Sequence, residues 1–277
     1  SKVAWAATPQ LDVDIHTLRA NFWLQKEGAS SGSMQIGVMS DISDTSTFEV
    51  VKTINLQEED TWKFIEIFFD STQITGTGNY IALRQITTVT SYYYWMDDFT
   101  VDLIPSCLRP TNLTIDTANT NSTTLAFSWT PGGNETSWTV EYKEYNSESA
   151  WQVIAGLSTT SCIIPNLNPV TNYYVRVKAD CGAGNESDYS VVSLFKTECG
   201  EISQLPWKED FELYPAGTSA LFPNCFNRIN DATGTINYYP YVYSSTTYSY
   251  SGLKSLYFYA STASDYANNQ YAILPAI

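Results

Sequence analysis

Hydrophobic and polar residues alternate with a period of two along most of this chain. The apolar members of the clearest runs are Met34, Ile36 and Val38, then Ile81 and Leu83, then Phe99, Val101 and Leu103. Because successive side chains of a β-strand point to opposite faces, this alternation predicts strands with one buried face. Helical periodicity is nearly absent, so the pattern predicts an all-β protein.

Turn sequences interrupt the strand-like runs at short intervals. Examples are Thr-Gly-Thr-Gly-Asn at 75–79 and Pro-Gly-Gly at 131–133, and Gly, Pro and Asn are residues that turns favour. Between residues 105 and 199 the turns leave seven strand-like segments, a number typical of a β-sandwich. With 277 residues in the chain, we predict three units, at 1–104, 105–199 and 200–277.

The central segment, residues 105–199, carries three sequence features that occur together in a known family of β-sandwich domains. Trp129 and Tyr142 lie in its second and third predicted strands, and Leu-Asn-Pro-Val-Thr-Asn-Tyr at 167–173 leads into the sixth. In this combination the segment resembles fibronectin type III domains, which carry aromatic residues at those strand positions and a Leu-x-Pro-x-Thr-x-Tyr segment. The resemblance implies that Tyr173 is a corner tyrosine whose hydroxyl bonds back to the chain, a packing role.

The flanks carry motifs of a second kind. Residues 205–212 read Leu-Pro-Trp-Lys-Glu-Asp-Phe-Glu and residues 251–256 read Ser-Gly-Leu-Lys-Ser-Leu. This order resembles the opening half of the cleaved-adhesin jelly rolls of gingipain-type bacterial surface proteins, which are similar to MAM domains. Residues 1–104, with Met-Asp-Asp-Phe-Thr-Val at 96–101, look like the closing half. The resemblance implies two partial jelly-roll segments on either side of the central sandwich.

Two half-domains would leave apolar faces and strand edges open, which other chains can cover. We therefore predict self-association, in which residues 200–277 of one chain complete residues 1–104 of another, as a closed dimer or an open polymer. The alternative is that each half folds independently as a smaller sheet.

The charge and composition of the chain limit the classes of molecule that it can bind. A net charge of −15 would be repelled by phosphate backbones, so nucleic acid is excluded as a partner. No apolar run approaches the length of a membrane helix, and the start of the chain lacks a signal-peptide layout, so we expect an excised or mature piece without membrane insertion. The remaining partners are a protein or a carbohydrate ligand at a cell surface or in a matrix.

The five cysteines have no Cys-x-x-Cys spacing and only one histidine beside them, which disfavours zinc and favours disulfides over free thiols in an oxidising compartment. In the fibronectin-like layout, Cys107 precedes the first strand and Cys181 follows the sixth, at the same pole. Cys199 ends the last strand, and Cys225 follows in the next unit. We predict the pairs Cys107–Cys181 and Cys199–Cys225, and a free core thiol at Cys162.

The residues that might support catalysis or bind a metal are few. His16 is the only imidazole and is interpreted as a strand or solvent-facing side chain. Adjacent carboxylates at 97–98 and 209–210 point to opposite faces of a strand, so neither pair presents both groups to one substrate. By resemblance to the adhesin domains, Asp98, Asp210 and Glu212 are candidate calcium ligands; the alternative is a solvated acidic rim.

A tyrosine-rich stretch at 238–250 is a candidate ligand surface. Its proposed contact residues are Tyr239, Tyr241, Tyr243 and Tyr248. Tyrosine supplies rigid amphipathic area for stacking on sugars or proteins, but the same alternation suits a strand whose tyrosines shield a sheet. The whole pattern favours a non-enzymatic, extracellular adhesion module with fibronectin type III as spacer. The alternative is an accessory region of a secreted peptidase or glycoside hydrolase.

Overall fold

The protein is described by a computed structural model, which covers residues 3–27, 32–56, 61–87, 93–202, 205–212, 214, 222–223, 225–230, 240–258 and 270–275. Its described part is built almost entirely from antiparallel strands, which confirms the all-β class. The contacts divide the chain into two compact units, Ser1–Ser106 and Cys107–Ile277. The second unit contains both the central sandwich and the residues that follow it.

The first unit is a sandwich of two sheets. Its strands are β1 (Val3–Ala7), β2 (Leu18–Glu27), β3 (Gly32–Met39), β4 (Glu49–Ile54), β5 (Lys63–Phe68), β6 (Tyr80–Thr87) and β7 (Tyr93–Leu103). One sheet has the order β1-β6-β3-β4 and the other has the order β5-β2-β7. Phe22 and Leu24 of the second sheet share a fully buried core with Ile36 and Ile81 of the first. The unit therefore buries an apolar face of each sheet by itself.

The predicted alternation is confirmed in β3 and β6 and for most of the run in β7. Ile36 and Val38 are buried, and Phe99 and Val101 pack against the core. Leu103, which the alternation places on the same side, is instead 59% exposed, because it is the last residue of β7 and lies outside the core cluster. The described residues of this unit form two sheets around their own core and not the open half-sandwich that we expected. This weakens the argument for self-association through the first unit.

The central sandwich has three strands in one sheet and four in the other. The strands are β8 (Thr111–Ile115), β9 (Leu125–Thr130), β10 (Trp138–Glu144), β11 (Gln152–Leu157), β12 (Ser161–Ile164), β13 (Asn172–Ala179) and β14 (Ser193–Lys196). They are arranged as β12-β9-β8 and β11-β10-β13-β14. Trp129 of the first sheet and Trp138 of the second meet in the buried core with ring centroids 6.0 Å apart. Tyr173 accepts a hydrogen bond from the Asn168 amide at 2.9 Å, the contact expected of a corner tyrosine.

The described residues after 199 form two short antiparallel sheets of two strands each. The strands are β15 (Asn227–Asn230), β16 (Tyr241–Ser244), β17 (Lys254–Tyr257) and β18 (Gln270–Ile273), paired as β15-β18 and β16-β17. Disulfides join Cys199 to Cys225 and Cys107 to Cys181, the pairs expected from the sequence, and Cys162 is a buried free thiol.

Candidate binding surfaces

An aromatic surface covers the outer face of the β5-β2-β7 sheet. Alternate residues of β2 face the core, so Trp23 and Gln25 point outward. The register sets Trp23 opposite Phe64 on one side and opposite Asp97 on the other, while Gln25 lies opposite Trp95. Ring-bearing side chains from all three strands are therefore brought onto one face of a sheet whose other face is core.

The rings on this surface are exposed yet held in place. Trp95 and Tyr93 are 54% and 60% exposed, and Trp62, two residues before Phe64, is 43% exposed. The Trp95 indole N–H donates to Glu27 Oε2 at 3.0 Å. Trp23 and Phe64 pack edge to face with centroids 5.5 Å apart. Clustered exposed aromatic rings on one face mark an interaction surface in a folded protein.

Sequence reasoning missed this surface. The signal that could have found it is the spacing of Trp62 with Phe64 and of Tyr93 with Trp95, since residues two apart on a strand share a face. The spacing of the rings within each strand can be seen in the sequence, but the sequence does not show which strands lie side by side. Only the pairing of β2 with both β5 and β7 brings the two pairs onto the face that carries Trp23 and Gln25, one pair on either side of β2.

A cation–π ladder crosses the outer face of the four-stranded sheet in the central sandwich. The Arg176 guanidinium lies between Trp151 and Tyr189, at 4.1 and 3.9 Å from their ring centroids. Glu141, opposite Arg176 in the register, accepts from its Nε and Nη2 at 2.9 and 2.6 Å and from the Tyr189 hydroxyl at 2.6 Å. The ladder is internally paired and serves to fix β10 against β13 and the segment before β14.

The electrostatics of the ladder centre on Glu141. Burial alone would raise the pKa of this carboxyl, but the hydrogen bonds from Tyr189 and Arg176 outweigh it and lower the pKa below its ordinary value. Burial and the same carboxylate raise the pKa of the Tyr189 hydroxyl. Glu141 is therefore held ionised, and Tyr189 is held as the hydrogen-bond donor.

The predicted tyrosine surface is only partly assembled. Tyr241 and Tyr243, on one face of β16, pack against Tyr257 at centroid distances of 5.6 and 5.3 Å, as in a shielded sheet face. Tyr248, in the connection to β17, is 73% exposed. Tyr239 lies outside the described residues. A ligand at these tyrosines stays a prediction.

The predicted calcium ligands are distributed over both units. Asp98 sits in the left-handed region (φ 52°) at the irregularity of β7, in the first unit. In the second unit, Asp210 accepts from the Glu212 amide at 3.3 Å. Glu212 Oε1 accepts from the amides of Leu253 and Lys254 at 2.8 and 2.7 Å. Among the described residues, no group of three or more acidic, histidine or cysteine side chains has metal-site geometry, so calcium stays a prediction.

His16 and Glu209 have local structural roles. The His16 ring nitrogen Nδ1 lies 3.0 Å from Asp14 Oδ1, and the backbone amide of His16 donates to the same oxygen. Glu209 accepts from the Phe211 amide at 2.7 Å and from the Tyr214 hydroxyl at 3.0 Å. Burial, with this carboxylate, raises the pKa of Tyr214 to about 12. These carboxylates are engaged in turns and not turned toward a shared substrate position.

A cleft of about 370 Å³ lies within the second unit, beside the Cys199–Cys225 disulfide. Val170, Trp207, Tyr214 and Phe226 are among its lining residues, and the Trp207 and Phe226 ring centroids are 6.2 Å apart. The cleft is lined by rings and aliphatic side chains together with two glutamates.

The central sandwich, with one sheet of three strands, one of four and a corner tyrosine, has the architecture of a fibronectin-type domain. The family model described as "Fibronectin type III domain" matches residues 108–195. The chain therefore contains a fibronectin type III domain, as its sequence predicted. The matched residues are a part of the chain, and the flanking segments lie outside them.

Similar proteins include one curated relative and several solved domains. Protein sidekick-1 of Gallus gallus is 34% identical over 104 residues, which are 35% of this chain and 5% of that protein. The chain thus corresponds to only a small part of sidekick-1. The FN5 domain of Drosophila Lar is 21% identical, with 34% of this chain and 99% of that one covered at a TM-score of 0.30. The FN3 domain of human collagen XX is 21% identical, with 34% and 95% covered at 0.28.

The part of the chain that the structure describes contains no helix with the length and apolarity needed to span a bilayer.

Proposed function

We propose that this chain is a stretch of an extracellular, non-catalytic binding protein of the adhesion type, in which the fibronectin type III domain acts as a rigid spacer. The observation that carries the proposal is the construction of that domain. Its core is sealed, and the Cys107–Cys181 disulfide, 74 residues apart in sequence, closes it. Disulfides of this kind persist in oxidising compartments, which supports a secreted or cell-surface location.

The flanking segments supply the binding surfaces in this proposal. Their resemblance to gingipain-type adhesin jelly rolls, together with the exposed rings of the first unit, supports recognition of a protein or glycan on a cell surface or matrix. The fold alone does not specify a ligand, because fibronectin type III sandwiches serve many functions. The exposed aromatic side chains are the features that support binding.

The test is an array of matrix proteins, cell-surface proteins and glycans probed with the labelled chain, with and without calcium. We expect saturable binding to at least one class of ligand. Chain unfolded in urea is the control and should lose that binding. Absence of binding to every class, or a hydrolytic activity intrinsic to the chain, would contradict the proposal. Dependence on calcium would support the predicted ion, and independence would argue against it.

A second candidate is an accessory region of a secreted peptidase or glycoside hydrolase. The gingipain-type resemblance favours it, because those adhesin repeats accompany a peptidase. The sequence of the parent reading frame separates the two, since a catalytic domain there would assign this chain to the accessory role.

A further inference from the structure

The outer face of the β5-β2-β7 sheet combines exposed rings with polar groups between them. Trp95 and Tyr93 stand two residues apart on β7, about 7 Å along the strand. Trp62 and Phe64 have the same spacing at β5. Gln25 and Trp23 occupy β2 between these rows. Because neighbouring strands are about 4.8 Å apart, the ring rows of β5 and β7 are separated by about 10 Å, a length comparable with a disaccharide unit.

We propose that this face binds a neutral oligosaccharide chain. The carbon-bound hydrogens of a pyranose form an apolar face that stacks on indole and phenol rings, and the sugar hydroxyls at its rim need hydrogen-bonding partners. The rings supply the first requirement. Gln25, Asp97 and Glu27 supply the second, as they lie beside or between the rings on the same side of the sheet.

The electrostatics select a neutral ligand. Asp97 and Glu27 border the rings, and the chain as a whole carries a net charge of −15. An anionic glycan would be repelled by these carboxylates, whereas neutral sugar hydroxyls donate well to them. The carboxylate of Glu27 has a second role, because it accepts from the Trp95 indole N–H and so fixes the ring before a ligand arrives.

The shape of the face favours a sugar over a protein. Protein hot spots bury their aromatic anchors in desolvated pockets. Here Trp95 and Tyr93 are more than half exposed on the outer face of a three-stranded sheet. A row of exposed rings with polar groups between them suits an extended, amphipathic ligand.

The test is titration of the whole chain with neutral hexaoses of glucose, xylose, mannose and N-acetylglucosamine, followed by calorimetry and by tryptophan fluorescence. We expect at least one to bind and to perturb the indole emission. Trp95→Ala and Tyr93→Ala should each weaken that binding by at least about tenfold. Glu27→Gln keeps an oxygen acceptor for the Trp95 N–H and should weaken it less than Trp95→Ala.

Two matched controls accompany these variants. Tyr145→Ala and Phe258→Ala remove exposed rings of the second unit and should leave the affinity unchanged, while far-UV circular dichroism verifies that every variant is folded. The proposal is overturned if no neutral hexaose binds, if only charged glycans bind, or if Trp95→Ala binds as tightly as the parent chain. A protein ligand on the array that is lost in Trp95→Ala, without any glycan binding, would overturn this inference and leave the adhesion function intact.

Discussion

A single hydroxyl anchors one corner of the fibronectin type III domain. The Tyr173 ring is 5% exposed, and its oxygen accepts from the Asn168 amide. Tyr173→Phe keeps the ring in the core but leaves that amide without its acceptor, so we expect a loss of about 1–2 kcal/mol in unfolding free energy. Urea denaturation followed by tryptophan fluorescence measures it. Tyr174→Phe, at the next position of β13, is the control and should cost only a few tenths; equal losses would contradict the assignment.

The free thiol is a second feature at the scale of one residue. Burial raises the pKa of Cys162 to about 11, so the thiol is protonated near neutral pH, and the side chain is 6% exposed. Because the thiolate is the reactive species, we expect iodoacetamide at neutral pH to leave the native chain unmodified. Denaturation without reductant should expose one thiol, and denaturation with reductant all five cysteines. Labelling of the native chain would contradict this, as would a bridged Cys162 in mass mapping.

Single residues were predictable where a local motif fixes their role. Trp129 and Tyr173 were found because their spacing within one strand or loop is characteristic of the family, and both prove to be buried. Leu103 was misplaced because alternation says which side a residue faces but not where the core ends. Glu212 as a calcium ligand stays a prediction, whereas its carboxylate also accepts from the amides of Leu253 and Lys254, a contact between residues about forty positions apart that no local pattern reveals.

At the scale of elements, the cation–π ladder across β10 and β13 is centred on the carboxylate of Glu141. The folded pKa of Glu141 is lowered, so its contribution to stability is fully present above the unfolded pKa near 4.5 and is lost as the pH falls below that value. Glu141→Gln should therefore be less stable than the parent at pH 7 and should lose less stability on acidification.

The measurement is the midpoint of urea unfolding between pH 7 and pH 3 for the parent and for Glu141→Gln. Glu144→Gln, at the exposed end of the same strand, is the control and should retain the pH dependence of the parent chain. A parallel pH dependence for the parent and Glu141→Gln would show that the ladder does not need the charge.

The positions of the strands were more predictable than the way in which the strands pair with one another. The alternating runs predicted as strands lie within β3, β6 and β7, because a buried face imposes its period on the sequence. The order β5-β2-β7 was not accessible in the same way, since each pairing joins segments far apart in the chain. The aromatic surface, which exists only through that pairing, was missed for the same reason.

At the scale of the whole molecule, the two flanks differ in how completely they bury apolar surface. The first unit has a fully buried core between two sheets. The described residues after 199 form only two-stranded sheets, which are marginally stable alone in water. Their large exposed side chains include Leu205, Trp207, Ile229, Tyr248, Tyr250, Leu253, Phe258, Tyr271, Ile273 and Leu274. The argument for self-association therefore rests on the last segment and no longer on both flanks.

Self-association through the last segment predicts that the molecular mass measured in solution depends on protein concentration. In sedimentation velocity the chain should grow in apparent mass with concentration, because contact between copies would remove this apolar surface from water. The combined variant Leu205→Ser, Tyr250→Ser and Leu274→Ser should weaken the association. The combined variant Val191→Ser and Val192→Ser, which changes exposed apolar residues of the fibronectin type III domain, should not. A parent chain that stays monomeric at every concentration would instead mean that the short sheets are covered within one molecule, and the interpretation of a severed jelly roll would lose its physical basis.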